Sequence, residues 1–510
     1  MEKNLKRLYW LTIIIFGGLI IRLAYEFVFD YLSNQYVFTQ FIQTLIRFSI
    51  TAISTLIVIS ILIRSEHTPT KLPWLIFLVF EPFIGLALFL TFGREYRHSR
   101  RYQKKEKLKP GAYLTNEPTT DFHELLNHGM DQELVDIFRV SYEETKHHVY
   151  YHDSHAEILT NGHEYYSALK DAIKEAKEFI FIQSYIIQTD DTGKEMFDLL
   201  KEKKDCRRIL MYDAIGSIYL DKSIMKSLER SGVEVIRFDP VKFGFFNTRI
   251  NFRNHRKVIV IDGNIGFTGG MNIGDEYIHL SSLGFFRDTQ VKITGSAVNS
   301  LTSIFSRDYY SMTGRLLSEE YYKTHELITN ETVQIVPSGP EFRRPPIRNT
   351  YVKMINNARE SIYITTPYLA LDVETKTSLI IAAKSGIDVR IIIPGKPDKK
   401  MVYIVTKSSI EELLESGIKI YFYEDAFIHA KVFIMDETIG SIGSYNLDNR
   451  SAHINFEITA LLLGESVDNL VKDFKHDLEN SRLVDLLEWK SRSLIHRLIE
   501  GVFNLMSPIV

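Results

Sequence analysis

The strongest constraint on the fold is a spacing pattern that occurs twice. Each copy reads HxKx4D, with a glycine 14 positions after the histidine and an asparagine 17 positions after it. The first copy comprises His255, Lys257, Asp262, Gly269, Gly270 and Asn272, and the second comprises His429, Lys431, Asp436, Gly443, Ser444 and Asn446. Two copies with every offset preserved, in a chain with 16 histidines, indicate a duplicated unit whose halves build one site.

Composition restricts the kind of protein that carries this duplication. The chain has 510 residues, 45% of them hydrophobic and 25% charged, which is enough for two or three domains with sizeable cores. Its formal net charge of -3 does not suggest the basic domain of a nucleic-acid-binding protein, so we predict no nucleic-acid partner. Cys206 is the one cysteine, which excludes an intramolecular disulfide and a cysteine-based metal site.

Apolar residues are concentrated in residues 1–93, which we interpret as a membrane anchor. Three segments, 9–29, 48–63 and 72–92, have lengths suited to a bilayer core, and Glu81-Pro82 interrupts the third. A cleaved signal peptide is the alternative for the first segment. It is disfavoured because no small-residue cleavage site follows that segment and two more apolar segments come after it.

Basic residues flank this anchor at both ends. Those after the third segment are Arg94, Arg97, Arg100, Arg101, Lys104, Lys105, Lys107 and Lys109. The positive-inside rule therefore predicts a multi-pass protein of the cell membrane whose remaining chain is cytoplasmic. Basic residues at positions 3, 6 and 7 place the N-terminus on the same side, which three full spans cannot satisfy. Either the third segment is re-entrant at Glu81-Pro82, or the first, which contains Arg22, lies in the interface.

The C-terminal stretch 488–510 has the pattern of an amphipathic helix. Trp489 precedes apolar residues at helical spacing, namely Leu494, Ile495, Leu498, Ile499, Val502 and Phe503. Lys490, Arg492 and Arg497 occupy polar positions among them. Such a helix either lies in a membrane interface or packs on the core of a domain, and the sequence leaves both interpretations open.

Helices and apolar strands alternate between the anchor and this last helix, which is typical of an α/β fold. We predict a basic juxtamembrane segment and linker over 94–150, then lobes over 151–330 and 331–487. The first lobe has predicted helices over 165–177 and ending at 231–232, and strands over 179–187, 208–212 and 233–238. The second has helices over 351–359 and ending at 416–417, and strands over 361–369, 388–393 and 418–423. The order matches element by element.

Each motif follows as the next strand of its lobe. In an extended strand, residues two apart project from the same face, so His255 pairs with Lys257, and the second histidine pairs likewise with its lysine. We assign the catalytic set as His255, Lys257 and Asp262 of the first copy and His429, Lys431 and Asp436 of the second. Asp262 and Asp436 lie seven residues from their histidines, an odd separation, and each precedes a predicted turn. We expect these aspartates to fix the turn or support the site without touching substrate.

The residue types favour an anionic substrate. The glycines allow close backbone approach, and Asn272 and Asn446 can donate their amides to a phosphate oxygen. A metal site is the alternative use of histidine and aspartate, but lysine is a poor ligand and its charge repels a cation. A surface histidine beside a solvated lysine would explain one copy but not two. We therefore predict a phosphodiester site without a metal.

With these residues the chain resembles the phospholipase D superfamily, whose members carry the duplicated motif on two α/β lobes with one active site between them. The resemblance covers about residues 150 to 487. Further stretches are similar to bacterial cardiolipin synthases: Asn254-His255-Arg256-Lys257, Gly269-Gly270-Met271-Asn272-Ile273-Gly274, Phe286-Arg287-Asp288, and Asn446-Leu447-Asp448 before Arg450-Ser451.

This resemblance implies a mechanism. One histidine forms a phosphohistidine, while the other is general acid for the leaving alcohol and then base for the incoming one. Family usage favours His255 as nucleophile and His429 as acid and base, although the near-symmetry leaves the reverse open. The lysines and asparagines would hold the phosphoryl oxygens. Family members place an acidic residue downstream of each histidine to orient it, and Asp288 and Glu457 match those places, 33 and 28 residues after their histidines.

The implied reaction joins two phosphatidylglycerol molecules into cardiolipin and releases glycerol, with no nucleotide or other cofactor. Its partners would be phosphatidylglycerol, other anionic phospholipids and the membrane. Two alternatives are a phospholipase D or tethered nuclease with water as acceptor, and a non-catalytic scaffold. A scaffold would be expected to have lost a histidine or lysine of the motifs, and a nuclease to have a basic domain. The sequence gives no signal for oligomeric state.

Overall fold

A computed structural model describes residues 35–63, 68–92, 117–239, 252–278, 284, 286–325, 327–424, 426–504 and 507. The chain divides into two compact units, Met1–Arg94 and Glu95–Val510. The predicted apolar segment 9–29 lies outside the described residues, as does the basic run from Arg94 to Lys109.

The N-terminal unit is helical, with helices at Gln35–Leu62, Thr68–Phe80 and Pro82–Phe92. Within the described residues, Gln40–Leu62 is the one stretch long and apolar enough to cross a bilayer. The chain breaks at Glu81 because a residue before proline is disfavoured in helical conformation, while proline fits the first position of the next helix. The two short helices fold back on each other there, since the rings of Trp74 and Phe89 lie 5.5 Å apart. The third segment is therefore a helical hairpin.

The second unit contains most of the regular structure. Its α-helices are Phe122–Asn127, Gln132–Thr145, Asn161–Glu175, Asp191–Glu202, Lys222–Arg230, Val298–Thr313, Pro346–Asn357, Val373–Lys384, Lys400–Glu415, Asn449–His453, Glu465–Glu479, Leu486–Lys490 and Leu494–Asn504. Short 3-10 helices occur at Asp275–Ile278 and Glu319–Tyr321. Aspartate side chains accept backbone N–H groups at several helix starts, among them Asp190, Asp372 and Asp485.

Twenty strands accompany these helices in the described part of the chain. The first nine are β1 (Val149–Tyr151), β2 (Ser154–Thr160), β3 (Phe179–Ser184), β4 (Arg207–Asp213), β5 (Glu234–Phe238), β6 (Val258–Ile261), β7 (Ile265–Gly269), β8 (Phe286–Arg287) and β9 (Thr289–Gly295). The others are β10 (Thr332–Ser338), β11 (Ser361–Thr365), β12 (Leu369–Ala370), β13 (Asp388–Pro394), β14 (Lys419–Tyr423), β15 (Phe427–Ile428), β16 (Val432–Met435), β17 (Ile439–Gly443), β18 (Leu447–Asp448), β19 (Glu457–Leu463) and β20 (Ser481–Leu483).

The duplication is visible in the sheet topology. The first lobe has a seven-stranded sheet in the order β2-β9-β7-β6-β3-β4-β5, and the second has a nine-stranded sheet in the order β1-β10-β19-β17-β16-β11-β13-β14-β20. Without β1 and β20, the two orders correspond strand for strand. In each, three neighbouring strands are parallel, β3-β4-β5 and β11-β13-β14, and the others pair antiparallel. The predicted α/β fold with two duplicated lobes is confirmed.

Apolar side chains fill three core regions. One lies between the two sheets and contains fully buried side chains from both lobes. Val260 and Ile293 come from the first lobe, and Ile434 and Ile458 come from the second. The other two lie under the outer helices of the first and second lobes. Because the sheets share a core, the two lobes form one rigid body with a fixed interface.

The segment before the first lobe is not the linker that we predicted. It forms the helices Phe122–Asn127 and Gln132–Thr145 and the strand β1, which pairs antiparallel with β10 at the edge of the second lobe's sheet. Val135 and Phe138 of this segment are fully buried in the second lobe's core. The polar composition of 94–150 concealed an amphipathic helix whose partners lie about 200 residues later in the chain.

Candidate active site

The first motif lies immediately before a strand and not within it. The backbone N–H of His255 donates to the carbonyl of Phe456 at 2.9 Å, and Asn254 forms a β-bridge with the same phenylalanine. The strand β6 begins only at Val258, so His255 and Lys257 precede it, and the prediction that they lie within the motif strand is wrong. The second lobe supplies the backbone partner at Asn254 and His255.

The second motif has the reciprocal arrangement and pairs with the first lobe. The strand β15, just before His429, pairs in parallel with β8 of the first lobe, and the His429 N–H donates to the carbonyl of Arg287 at 2.7 Å. Phe456 and Arg287 are the residues directly before Glu457 and Asp288. Each histidine is therefore brought beside the acidic residue of the opposite lobe.

The acidic residues orient the histidines across the lobes, and not within them as we expected. The Nδ1 atom of His255 lies 2.9 Å from Glu457 Oε2, and the Nδ1 atom of His429 lies 2.6 Å from Asp288 Oδ2. An ionised carboxylate accepts hydrogen bonds only, so Nδ1 carries the proton in each ring. The Nε2 atom of each ring is left with a free lone pair, as a nucleophile or base requires.

Each carboxylate is held differently by its own lobe. Glu457 accepts hydrogen bonds from the Ser444 hydroxyl, from Ser451 Oγ at 3.0 Å and from Asn455 Nδ2 at 3.2 Å. Asp288 packs against Gly270, where a Cβ atom would lie 2.1 Å from its Oδ1 atom. The glycine of the first motif is therefore required by the aspartate beside it, and the second motif has a serine in its place.

The two motif lysines are both buried. Lys257 is 2% exposed and Lys431 is 3% exposed, and each Nζ donates to the backbone carbonyl of the histidine two residues before it. Burial and the charge of Lys431 lower the pKa of Lys257 to about 7. Burial lowers the pKa of Lys431 to about 8, although nearby carboxylates, Asp288 foremost, oppose the shift. Because burial and the charge of Lys431 destabilise the charged form of Lys257, an anion bound beside these lysines would be stabilised.

Both histidines are neutral at pH 7. Burial lowers the pKa of His255 to about 4, although Glu457 opposes the shift. Burial and the charge of Lys431 lower the pKa of His429 to about 4, against the effect of Asp288. The carboxylates remain ionised despite their burial. The charge of Lys431 and the hydrogen bond from His429 lower the pKa of Asp288, and the hydrogen bond from His255 and the charge of Lys257 lower the pKa of Glu457.

The two asparagines, both predicted to bind phosphate, differ in their surroundings. Asn272 is committed to the scaffold, since its Nδ2 donates to the Tyr277 hydroxyl at 2.8 Å and its Oδ1 accepts from the Ile186 N–H at 3.1 Å. The Asn446 side-chain oxygen is buried and has no hydrogen-bond partner among the described residues. Only the second asparagine keeps its amide oxygen uncommitted.

The motif aspartates lie at the far end of their strands, away from the histidines. Asp262 accepts the backbone N–H groups of residues 177, 178 and 179 at 2.7–2.8 Å, and Asp436 accepts those of residues 359, 360 and 361 at 2.8–2.9 Å. Both have a φ of 52°, in the left-handed region, where aspartate is tolerated. Their inclusion in the catalytic set needs correction: each stands in the turn after its own strand, β6 or β16, and holds the backbone that leads into the neighbouring strand, β3 or β11.

Aromatic residues that the sequence analysis missed line the site. The Tyr185 ring meets the His255 ring edge-on with centroids 4.8 Å apart. The His429 ring lies about 6 Å from those of Tyr277, Phe286 and Phe427. Tyr185 lies near the end of the predicted strand 179–187, and Tyr368 has the corresponding place in the predicted strand 361–369, so this repeat was the available signal.

Arg256 is a second residue that the sequence analysis did not assign a role. Its side chain is fully buried, donates to Asp308 at 2.7 Å, and its Nε donates to the backbone carbonyl of Glu457 at 3.0 Å. It therefore supports the carboxylate that orients His255. The corresponding position in the second motif is Ala430, which has no such link.

Comparison with known proteins agrees with this geometry. The family model described as cardiolipin synthase, PLD-like domain, matches residues 169–307 and 351–478, and a phospholipase D-nuclease N-terminal model matches 52–94. Cardiolipin synthase 2 of Bacillus anthracis is 40% identical over 458 residues, which cover 88% of this chain and 88% of the relative.

The chain belongs to the cardiolipin synthase family of the phospholipase D superfamily. It is therefore a phosphatidyltransferase by family, acting on phospholipid substrates. A cardiolipin synthase of Alkalihalophilus pseudofirmus is 38% identical over 488 residues, covering 93% of this chain and 96% of the relative. The crystal structure of phosphatidylserine synthase from Haemophilus influenzae aligns with a TM-score of 0.56 at 13% identity, over 74% of this chain and 100% of that one, which shows the shared fold. Members of the family are membrane-associated, in keeping with the apolar helix Gln40–Leu62.

Proposed function

We propose that the paired site joins two phosphatidylglycerol molecules into cardiolipin and glycerol. The observation that carries this proposal is the crossed His–carboxylate arrangement above two buried lysines. One site then holds a neutral nucleophile, a neutral base and two cations around a single phosphoryl position. Exchange of one phosphodiester for another keeps the number of such bonds constant, so the reaction needs no nucleotide.

His255 is the proposed nucleophile. Its Nδ1 faces both Glu457 and the Ser444 carbonyl, at 2.9 and 3.1 Å, which fixes the ring with Nε2 directed at the phosphorus. The new N–P bond forms as the P–O bond to glycerol breaks. His429 donates the proton that the departing glycerol oxygen takes. The bound phosphodiester anion favours the protonated form of His429 that this step requires.

The second half-reaction reverses these roles. His429, now neutral, accepts the proton from the free glycerol hydroxyl of a second phosphatidylglycerol. The oxygen forms a new P–O bond, and the N–P bond to His255 breaks. Lys257, Lys431 and the amide of Asn446 stabilise the phosphoryl oxygens, since a half-turn of that amide presents its NH2 group. Asn272 holds Tyr277 in place and contributes to the scaffold.

Product analysis tests this proposal. Purified full-length protein, incubated with phosphatidylglycerol vesicles and a chelator but no nucleotide, should yield cardiolipin and glycerol in equal amounts. The His429→Ala protein serves as the inactive control. Phosphatidic acid as the sole lipid product would identify a phospholipase D that uses water as the acceptor, and would contradict the synthase proposal.

We also propose a topology in which both ends of the anchor face the cytoplasm. The hairpin at Glu81 supports it, because helices of 13 and 11 residues are each too short for a bilayer of about 30 Å. The segments 9–29 and 48–63 then cross while 72–92 re-enters on the cytoplasmic side, which satisfies the basic residues at both ends. Cysteines introduced before residue 8 and after residue 93 should both resist an impermeant thiol reagent in intact cells.

A further inference from the structure

The helix Leu494–Asn504 is attached to the second lobe by its polar side. Its one buried residue is Glu500, which receives Arg492 at 2.5 Å, while Arg497 binds Glu411 of the neighbouring helix at 2.9 Å. Before it, Trp489 is buried in the second lobe's core, with the Arg492 guanidinium 3.8 Å from the centre of its ring. Ion pairs and one anchored tryptophan therefore fasten the helix.

The opposite side of this helix is apolar and exposed. Leu494 is 81% exposed, Ile495 68%, Leu498 67%, Ile499 40% and Val502 57%. At 100° per residue these five positions fill an arc of about 140° on one face. A helix of a soluble domain buries its apolar face and exposes its polar one, so this helix has the reverse orientation.

The helix ends beside the active site. Lys490 pairs with Glu415 and Arg497 with Glu411, so the helix runs antiparallel to Lys400–Glu415 and its end approaches the start of that neighbour. Beyond the end, the Ser507 hydroxyl accepts from Asn449 Nδ2 at 2.9 Å, and the same amide donates to the carbonyl of Ala370. Asn449 lies three residues after Asn446 of the second motif, so the end of the helix is held beside the segment that follows this motif.

Exposed basic residues accompany this end of the helix. Lys396, Lys399 and Lys400 lie in the loop after β13 and at the start of the neighbouring helix, and each is exposed. Lys399 rests over the ring of Tyr368 at 5.5 Å. An apolar face that leads to a cluster of lysines complements a layer of anionic phospholipid, where acyl chains lie below and phosphates above.

We propose that the helix Leu494–Asn504 inserts its apolar face into the surface of an anionic phospholipid layer and holds the entrance of the active site against that layer. A lipid would then enter the site headgroup first without passing through water. The inference rests on the proposed function, because it assumes that both substrates are membrane lipids. It adds a second membrane contact to the one made by Gln40–Leu62.

Depth-dependent quenching tests the insertion directly. Leu498→Cys and His496→Cys, labelled with a polarity-sensitive fluorophore, place probes on the apolar and polar sides of the same helix; native Cys206 is buried. In full-length protein reconstituted with phosphatidylglycerol, lipids carrying a spin label in the acyl chain should quench the probe at 498 several-fold more than the probe at 496. Equal quenching, or none at 498, would overturn the proposal.

A paired activity assay tests the consequence for substrate entry. Leu494→Glu with Leu498→Glu should lower turnover of phosphatidylglycerol in vesicles about tenfold or more, and change turnover of monomeric short-chain phosphatidylglycerol less than twofold. Ile328→Glu, at a position 92% exposed outside this helix, should leave both unchanged.

Other outcomes separate the possible failures. An equal loss with both substrates would overturn the proposal, because the helix would then be part of the folded site. Dissociation of a detergent-solubilised dimer by the double substitution, with an unquenched probe at 498, would assign the face to a second copy of the chain and also overturn it. Wild-type protein that makes no cardiolipin from either substrate would refute the proposed function, while quenching at 498 would still decide the lipid contact.

Discussion

The two halves of the active site share one backbone plan and differ in what surrounds each histidine. His255 is followed by Arg256, which secures Glu457 through its backbone carbonyl, whereas His429 is followed by Ala430. Beside His429, the Asp288 carbonyl accepts from Arg287 of its own lobe at 2.9 Å, and three aromatic rings lie about 6 Å from the imidazole. Duplication thus supplied two equivalent positions, and the neighbouring side chains made the surroundings of His429 the more aromatic of the two. This difference suits a nucleophile and a proton carrier.

Removal of each histidine in turn tests whether the two have different roles. His255→Ala and His429→Ala should both lower kcat for cardiolipin formation about 10⁴-fold or more, as loss of a nucleophile or its partner does in other enzymes. A phosphatidyl donor with a nitrophenol leaving group, which needs no proton, separates them. The His429→Ala protein should release one equivalent of nitrophenol in a burst and the His255→Ala protein none. A burst from the His255→Ala protein would reverse the roles.

The crossed orientation predicts that a change in one lobe has its effect in the other. Glu457→Gln should slow the nitrophenol burst about 10²-fold, because the amide no longer favours the tautomer of His255 with a free Nε2. Asp288→Asn should leave the burst nearly intact and slow transfer to the second lipid. Glu457→Asp should recover part of the lost rate. If Asp288→Asn slowed the burst instead, orientation within each lobe would be correct.

The two lysines should make kcat/KM depend on pH. A lysine stabilises the phosphoryl oxygens only when protonated, so kcat/KM should fall by about tenfold per pH unit as pH rises above about 7, the pKa of Lys257, and more steeply above about 8, that of Lys431. On the acid side it should fall as pH drops through about 4, where the nucleophile His255 becomes charged and loses its free lone pair. Lys257→Arg should flatten the first alkaline limb, because the guanidinium stays charged. An unmoved limb would show that another group titrates.

The motif aspartates provide the smallest expected effect on activity. Asp262→Ala and Asp436→Ala each remove the acceptor of three backbone N–H groups, so each should lower the free energy of unfolding by about 1–3 kcal/mol. The two variants should have similar melting temperatures and a kcat within about threefold of the wild type. A large loss of kcat at unchanged stability in either one would restore the aspartate to the chemistry.

Much of this architecture could be predicted from the sequence because the signals are local. Alternation of apolar strands with helices located β3, β4, β5, β11, β13 and β14 to within a few residues at most ends. The odd separation of Asp262 from its histidine correctly predicted that this aspartate stands at a turn, away from the histidine. The helix Asp191–Glu202 was not predicted, because Asp190, Asp191 and Gly193 at its start are residue types typical of a turn.

Features that depend on contact between the lobes could not be predicted. The offsets of 33 and 28 residues fit orientation within a lobe and orientation across lobes equally well. Only the pairing of β8 with β15, and of Asn254 with Phe456, decides between them. The different roles of Asn272 and Asn446 likewise depend on the hydrogen bond from Asn272 to Tyr277, which the spacing of residues in the sequence does not predict.

The strand β1 gives the chain an order of assembly. Val149–Tyr151 pairs with Thr332–Ser338, which the ribosome delivers about 180 residues later. At a synthesis rate of about 5–20 residues per second, β1 and the helix before it wait roughly 10–40 s for their partner, while the whole first lobe is made and can fold between them. The first lobe is thus an insertion within the second. During that interval the side of Gln132–Thr145 that the second lobe later buries, with Val135 and Phe138, has no core to pack against.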